Sequence, residues 1–147
     1  MIIQQISVFL ENRTGTLAEV LATLLENNIN VRAMSVAETA DFGILRFIVN
    51  RPEEVEQVLR KAQFAVKITP VLTMILDDSP GSLLERIQAL SGAGINIEYF
   101  YAFAVVGTEK ARIVLKVDDL EHTQQLIGKY EEGQRQGEIE ETADFYW

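Results

Sequence analysis

Glu11-Asn12-Arg13-Thr14-Gly15-Thr16-Leu17, followed after an apolar run by Ile29-Asn30-Val31, decides how this chain is read, because the pattern occurs twice. Asp77-Asp78-Ser79-Pro80-Gly81-Ser82-Leu83 and Ile95-Asn96-Ile97 align with it without a gap. Gly15/Gly81, Leu17/Leu83, Glu19/Glu85, Leu24/Leu90, Ile29/Ile95 and Asn30/Asn96 are identical pairs. Two extra residues near 107–110 restore the match further on, setting Leu45-Arg46-Phe47-Ile48-Val49 on Ile113-Val114-Leu115-Lys116-Val117. Self-similarity at a fixed offset marks a duplicated supersecondary unit. The expected division is residues 1–69 and 70–147, meeting near Pro70.

Within the first half, Ile6, Val8 and Leu10 alternate with Ser7 and Phe9, a strand pattern. Leu17, Val20, Leu21, Leu24 and Leu25 then recur at helical spacing, and Asn27-Asn28 suits a C-terminal cap. Val31 to Ala37 and Ile44 to Val49 read as strands joined through Asp41-Phe42-Gly43. Pro52 fits the first turn of a helix carrying Val55, Val58, Leu59 and Ala62, and Val66 to Ile68 reads as a short fourth strand.

The second half repeats the scheme. Val71 to Leu76 is a strand, Pro80 opens a helix with Leu83, Ile87 and Leu90, and Gly92-Ala93-Gly94 closes it. Ile95 to Val105 and Ala111 to Val117 form a hairpin, Leu120 to Tyr130 a helix, and Phe145-Tyr146-Trp147 are expected to dock a last strand. The fold class predicted is α+β: two tandem ferredoxin-like βαββαβ units, each an antiparallel sheet with both helices on one face. A half of about 70 residues has a thin core, which favours close association and a homodimer.

Composition narrows the function. The 147 residues are 48% hydrophobic and 24% charged, with no cysteine and a single histidine, His122. A thiolate nucleophile or Cys-type metal site is thereby excluded, a multi-histidine metal site cannot form in one chain, and a serine–histidine triad is disfavoured. Lys+Arg 13 against Asp+Glu 22 gives a formal charge of −9, which works against phosphate-backbone binding and hence nucleic acid. No apolar run approaches the roughly 18–20 residues of a membrane span, and Met1-Ile2-Ile3-Gln4-Gln5 lacks a secretory n-region. The expectation is a soluble cytoplasmic protein with no cofactor and no membrane partner.

The segment Glu11-Asn12-Arg13-x-Gly15-x-Leu17 with the later Asn30 resembles the ACT domain family, small ferredoxin-like modules that bind amino acids and regulate metabolic enzymes. The second copy, Asp77-Asp78-Ser79-Pro80-Gly81-Ser82-Leu83 with Asn96-Ile97, fits that family's acidic-x-x-Pro-Gly-x-Leu and Asn-Ile signature closely. The first departs by carrying Thr14 where proline is usual, but its Glu11-Asn12-Arg13 is similar to the serine-binding ACT domain of phosphoglycerate dehydrogenase. Two copies and no catalytic domain resemble the stand-alone tandem ACT proteins of bacteria. The resemblance implies a non-catalytic amino-acid sensor. Its ligand would meet Glu11, Asn12, Arg13, Thr14, Gly15, Leu17, Asn30 and Val31 in one copy. Asp78, Pro80, Gly81, Leu83, Asn96 and Ile97 are the counterparts in the other, with the ligand at a domain or subunit interface.

The residues supply a mechanism for such a site. Glycine at a strand–helix turn lets backbone N–H groups approach a ligand, and a helix start favours an anion such as an α-carboxylate. Asn12 and Asn30 offer donors and acceptors, whereas Asp78 in place of Asn12 would repel a carboxylate, so the two copies should differ in ligand or occupancy. The structural alternative is that these residues only cap the helix and begin a strand.

Two further functions fit the fold. One is the regulatory subunit of an amino-acid biosynthetic enzyme, since Ile6-Ser7-Val8-x-x-Glu11-Asn12 is similar to the acetolactate synthase small subunit, although Pro80-Gly81-x-Leu83 argues against equivalence. The other is an acylphosphatase-like hydrolase using Arg13 and Asn30, whose turn lacks the several glycines of a phosphate cradle. Asp41-Phe42-Gly43 spells a kinase triplet without any other kinase motif. Tyr99, Tyr101 and Phe103 alternate on one strand face as packing residues, and Glu138, Glu140, Glu141 and Asp144 read as solvated acids. His122 reads as exposed rather than catalytic.

Overall fold

The computed structural model describes residues 1–38 and 41–135. Along the chain run β1 (Ile2–Glu11), α1 (Thr16–Glu26), β2 (Val31–Glu38), β3 (Phe42–Val49), α2 (Pro52–Lys61) and β4 (Ala65–Asp77). They are followed by α3 (Ser82–Gly92), β5 (Ile97–Ala104), β6 (Lys110–Val117) and α4 (Leu120–Arg135). The last strand expected at Phe145-Tyr146-Trp147, and the acids from Glu138 to Asp144, lie outside the described residues.

Two compact units divide the described residues: Gln4–Pro70, and 71–135 together with Met1–Ile3. The first has the strand order β2-β3-β1-β4. Ile6 and Val8 of β1 face Phe47 and Leu45 of antiparallel β3, setting one apolar face. Val20 and Leu24 of α1 and Val55 and Leu59 of α2 close over that face and complete the core. Each such aliphatic side chain contributes about 1.5–3 kcal/mol by leaving water. The broad leucine stripe read along α1 divides here. Val20 and Leu24 are buried, whereas Leu17, Leu21 and Leu25 stay 39%, 38% and 79% exposed. In α2 the acids Glu53 and Glu54 open the helix and Arg60 and Lys61 end it, matching its dipole.

In the second unit β6 lies between β4 and β5, with Leu72, Met74 and Leu76 against Leu115, Ile113 and Ala111. Leu90 of α3 and Ile127 of α4 pack into that core. The guanidinium of Arg86 stacks 4.5 Å from the centroid of Tyr130, joining α3 to α4. The other edge of β4 is met by the start of the chain, where Thr73 donates to the Met1 carbonyl at 2.9 Å. Asp119 caps α4, its carboxylate accepting from the His122 backbone at 3.0 Å, while the His122 side chain is exposed.

One expectation needs correction. The two short strands on either side of Pro70 are a single strand, Ala65–Asp77. A proline forfeits one ladder hydrogen bond, but its fixed φ suits extended backbone, so it survives wherever its missing donor is not required.

Candidate functional site

Between β1 and α1 the chain turns through Asn12, Arg13, Thr14 and Gly15, all exposed. Gly15 caps α1 with φ 94°, and its counterpart Gly81 caps α3 with φ 91°. A Cβ on either would meet nothing within 4 Å, so glycine is required here by left-handed backbone and not by crowding. Neither helix start receives a side-chain cap, and both lie at the positive end of a helix dipole; in α3 the Ser82 N–H donates to the Ser79 carbonyl at 3.3 Å.

Thr16 locks the first turn from beneath. Its hydroxyl, buried, lies 3.1 Å from both the Glu11 and Arg13 carbonyls, and the Arg13 N–H donates to the Glu11 carbonyl at 2.8 Å. Above it the Arg13 guanidinium reaches Glu11 at 3.3 Å and both oxygens of Glu19 at 3.4 Å. In the second copy Ser79 and Ser82 hydroxyls lie 2.7 Å apart, and Lys110 pairs with Asp77 at 2.7 Å. The two turns are tethered alike: Asn12 N–H donates to the Asp41 carbonyl at 3.0 Å and Asp78 N–H to the Glu109 carbonyl at 2.9 Å. Asp41-Phe42-Gly43 thus serves as the hairpin end that anchors the turn, with Phe42 and Gly43 already in β3.

The charge around the turns differs. Glu11, Glu19 and Asp41 at the first turn match Asp77, Glu85 and Glu109 at the second; the second adds Asp78 in place of Asn12, and its Lys110 pairs with Asp77 where Arg13 lies between Glu11 and Glu19. Among the described residues, burial lowers the pKa of the Met1 ammonium, with Glu131 opposing the shift and Arg112 adding to it, and burial lowers that of the Arg112 guanidinium; neither group belongs to a turn.

The residues of the motif do not all come together. Glu11 stands opposite Phe42 at one end of β3, while Val31 stands opposite Val49 at the other, seven residues or about 23 Å away. Asn30, exposed just before Val31, is therefore at the far end of the unit from Gly15. The same holds for Asp77 opposite Lys110 and Ile97 opposite Val117. Arg13 and Asn30, which an acylphosphatase would need side by side, are separated by that length. Asn96 has a structural duty, its N–H bonded to the Asp118 carboxylate at 3.0 Å and its carbonyl accepting from the Asp118 N–H at 3.2 Å. Leu83 packs against the second core, and Leu17, Thr14 and Pro80 are exposed beside their turns. Spacing alone did not point to Thr16, Glu19 or the hairpin ends Asp41 and Glu109; an alternate polar residue just after the capping glycine is the only local signal for the first.

Among the described residues no helix is long and apolar enough to cross a membrane, and no three His, Asp or Glu side chains are grouped to hold a metal. No curated protein matches the chain. The solved structure of protein BT0572 from Bacteroides thetaiotaomicron is 37% identical, with a TM-score of 0.84 over 89% of this chain and 90% of that one. The regulatory subunits of aspartate kinase from Thermus thermophilus and Thermus flavus share the fold. They are 17% and 14% identical, with TM-scores of 0.63 and 0.65, over 90% and 91% of this chain and 96% and 95% of theirs. A family model described as an ACT domain pair matches residues 1–132, and the chain belongs to that family.

Proposed function

We propose that the protein is a non-catalytic regulatory module that binds a free amino acid at the turn from Asn12 to Gly15. The observation that carries this reading is the α1 start: a left-handed glycine, exposed, with no side chain capping the helix. An α-carboxylate would take the first N–H groups of α1, and Asn12 and Glu11 would receive the ammonium. Asn30 is too distant to touch the same small molecule within one chain, so its contribution would come from the Asn30 end of a second chain in a homodimer. Ligand then favours one arrangement of the dimer over another, which is all that a regulatory signal requires.

The acylphosphatase alternative is disfavoured: Arg13 is held by two carboxylates and Asn30 is remote from it. Thermal melting against the twenty amino acids tests the reading. At a hundred times the dissociation constant a ligand adds about 2.7 kcal/mol. For a chain of this size that raises the melting temperature by about 5–11 °C. No shift with any amino acid at millimolar concentration would overturn it.

A regulatory subunit of an amino-acid biosynthetic enzyme is the second reading, supported by the fold shared with aspartate kinase regulatory subunits. It predicts a larger enzyme co-purifying with the tagged chain, and a solitary dimer counts against it.

A further inference from the structure

β2 ends the strand order of the first unit, so among the described residues one side of its backbone has no strand beside it. Met34 and Val36 stand opposite Phe47 and Leu45 of β3, which places them on the face that the helices cover, yet they remain 40% and 49% exposed. α1 continues this apolar rim. A right-handed β1–α1–β2 connection sets the helix on the β2 side of its unit. Counting about 100° per residue from the buried Val20 and Leu24, the exposed Leu17, Leu21 and Leu25 fall on the flank toward β2. Edge strands are commonly blunted by lysine, proline or a bulge. β2 carries neither residue, and its one irregularity lies at its start, between Val31 and Ala33.

We infer that this edge is where two copies of the chain associate, β2 pairing antiparallel with β2 of the second copy about a two-fold axis at Ser35. A contact of this symmetry must match itself. Helix-side residues meet helix-side residues only if the axis passes through a residue and not between two. Centred on Ser35, Met34 of each copy lies across from Val36 of the other, and Arg32 across from Glu38. Centred on Met34, Val36 would meet Arg32; centred on Val36, Met34 would meet Glu38. The Ser35 register alone sets apolar against apolar and cation against acid.

The edge of the second unit does not repeat the match. β5 has Phe100 and Ala102 in place of Met34 and Val36, and Glu98 and Ala104 in place of Arg32 and Glu38. The same pairing would set Phe100 on a small Ala102 and leave Glu98, which pairs with Lys116 at 3.1 Å, across from Ala104. On α3, Ser91 replaces Leu25. Self-association is therefore a property of the first unit, and it calls for no ligand at the turn.

Sedimentation velocity of the full chain, with no amino acid present, tests this. Two chains per particle are expected at micromolar concentration. Met34→Lys should raise the dimer dissociation constant at least about tenfold while its circular dichroism stays that of the parent, and Phe100→Lys should leave the constant unchanged. Arg32→Glu and Glu38→Arg should each weaken the dimer by about two- to fivefold, and the two together should restore it, because the exchanged charges still meet across the axis. A monomeric parent, an unchanged constant in Met34→Lys, dissociation by Phe100→Lys, or a charge exchange that fails to restore association would overturn the proposal, whether or not an amino acid binds at the turn.

Discussion

Gly15 and Gly81 show what a single residue contributes. With φ 94° and 91° and open space where a Cβ would go, replacement costs only backbone strain. Gly15→Ala should therefore lower stability by about 1–2 kcal/mol, read as a fall of about 2–8 °C in melting temperature. Gly128 is the contrast, inside α4 with the same open space and no positive φ. Gly128→Ala should raise stability by about 0.5–1 kcal/mol in the same melt. Both capping glycines are visible in the sequence because they repeat at a fixed offset. The reason for them is not, since a letter string carries no φ, and a glycine needed for its backbone looks the same as one needed for a ligand's approach. Asn30 gives a related lesson: it repeats as faithfully as Gly15, yet lies at the opposite end of β3 from the turn.

At the scale of elements the β1–α1 turn is held by two locks of unequal worth. Thr16 is buried, with its hydroxyl shared by two carbonyls, so Thr16→Val should cost about 1–2 kcal/mol in urea denaturation. Arg13 is exposed with both its carboxylate partners, and Arg13→Ala should cost less than about 1 kcal/mol, a difference that shrinks as salt is added. The helices were legible from apolar spacing, since Val20 with Leu24 and Val55 with Leu59 are the residues that reach the core. Which leucines of α1 remain outside was not, because periodicity defines a stripe without saying what lies beneath it. Pro70 misleads for a similar reason: local rules end a strand at proline, and only the neighbouring strand decides whether its absent N–H is missed.

Over the whole molecule the duplication is the feature that sequence conveys best, and the use of the chain's first residues the one it conveys least. Met1–Ile3 belong to the unit that begins at Val71, with the Met1 carbonyl bonded to Thr73. A fragment of residues 71–147 loses that strand partner, and its urea midpoint should fall below that of the intact chain. Nothing in a short apolar start such as Met1-Ile2-Ile3 says which β-strand it will meet, because strand pairing is non-local. The repeat also hides divergence: the turns match in geometry, but Arg13 with Phe42 in one faces Asp78 with Lys110 in the other. The central claim, that the first turn holds an amino-acid carboxylate on the backbone donors of α1, is tested most directly by amide NMR during an amino-acid titration. It predicts saturable shifts of the Thr16 and Leu17 amides ahead of those of Ser82 and Leu83. Thr16 and Leu17 amides that stay in place at saturating concentrations of every amino acid would contradict it.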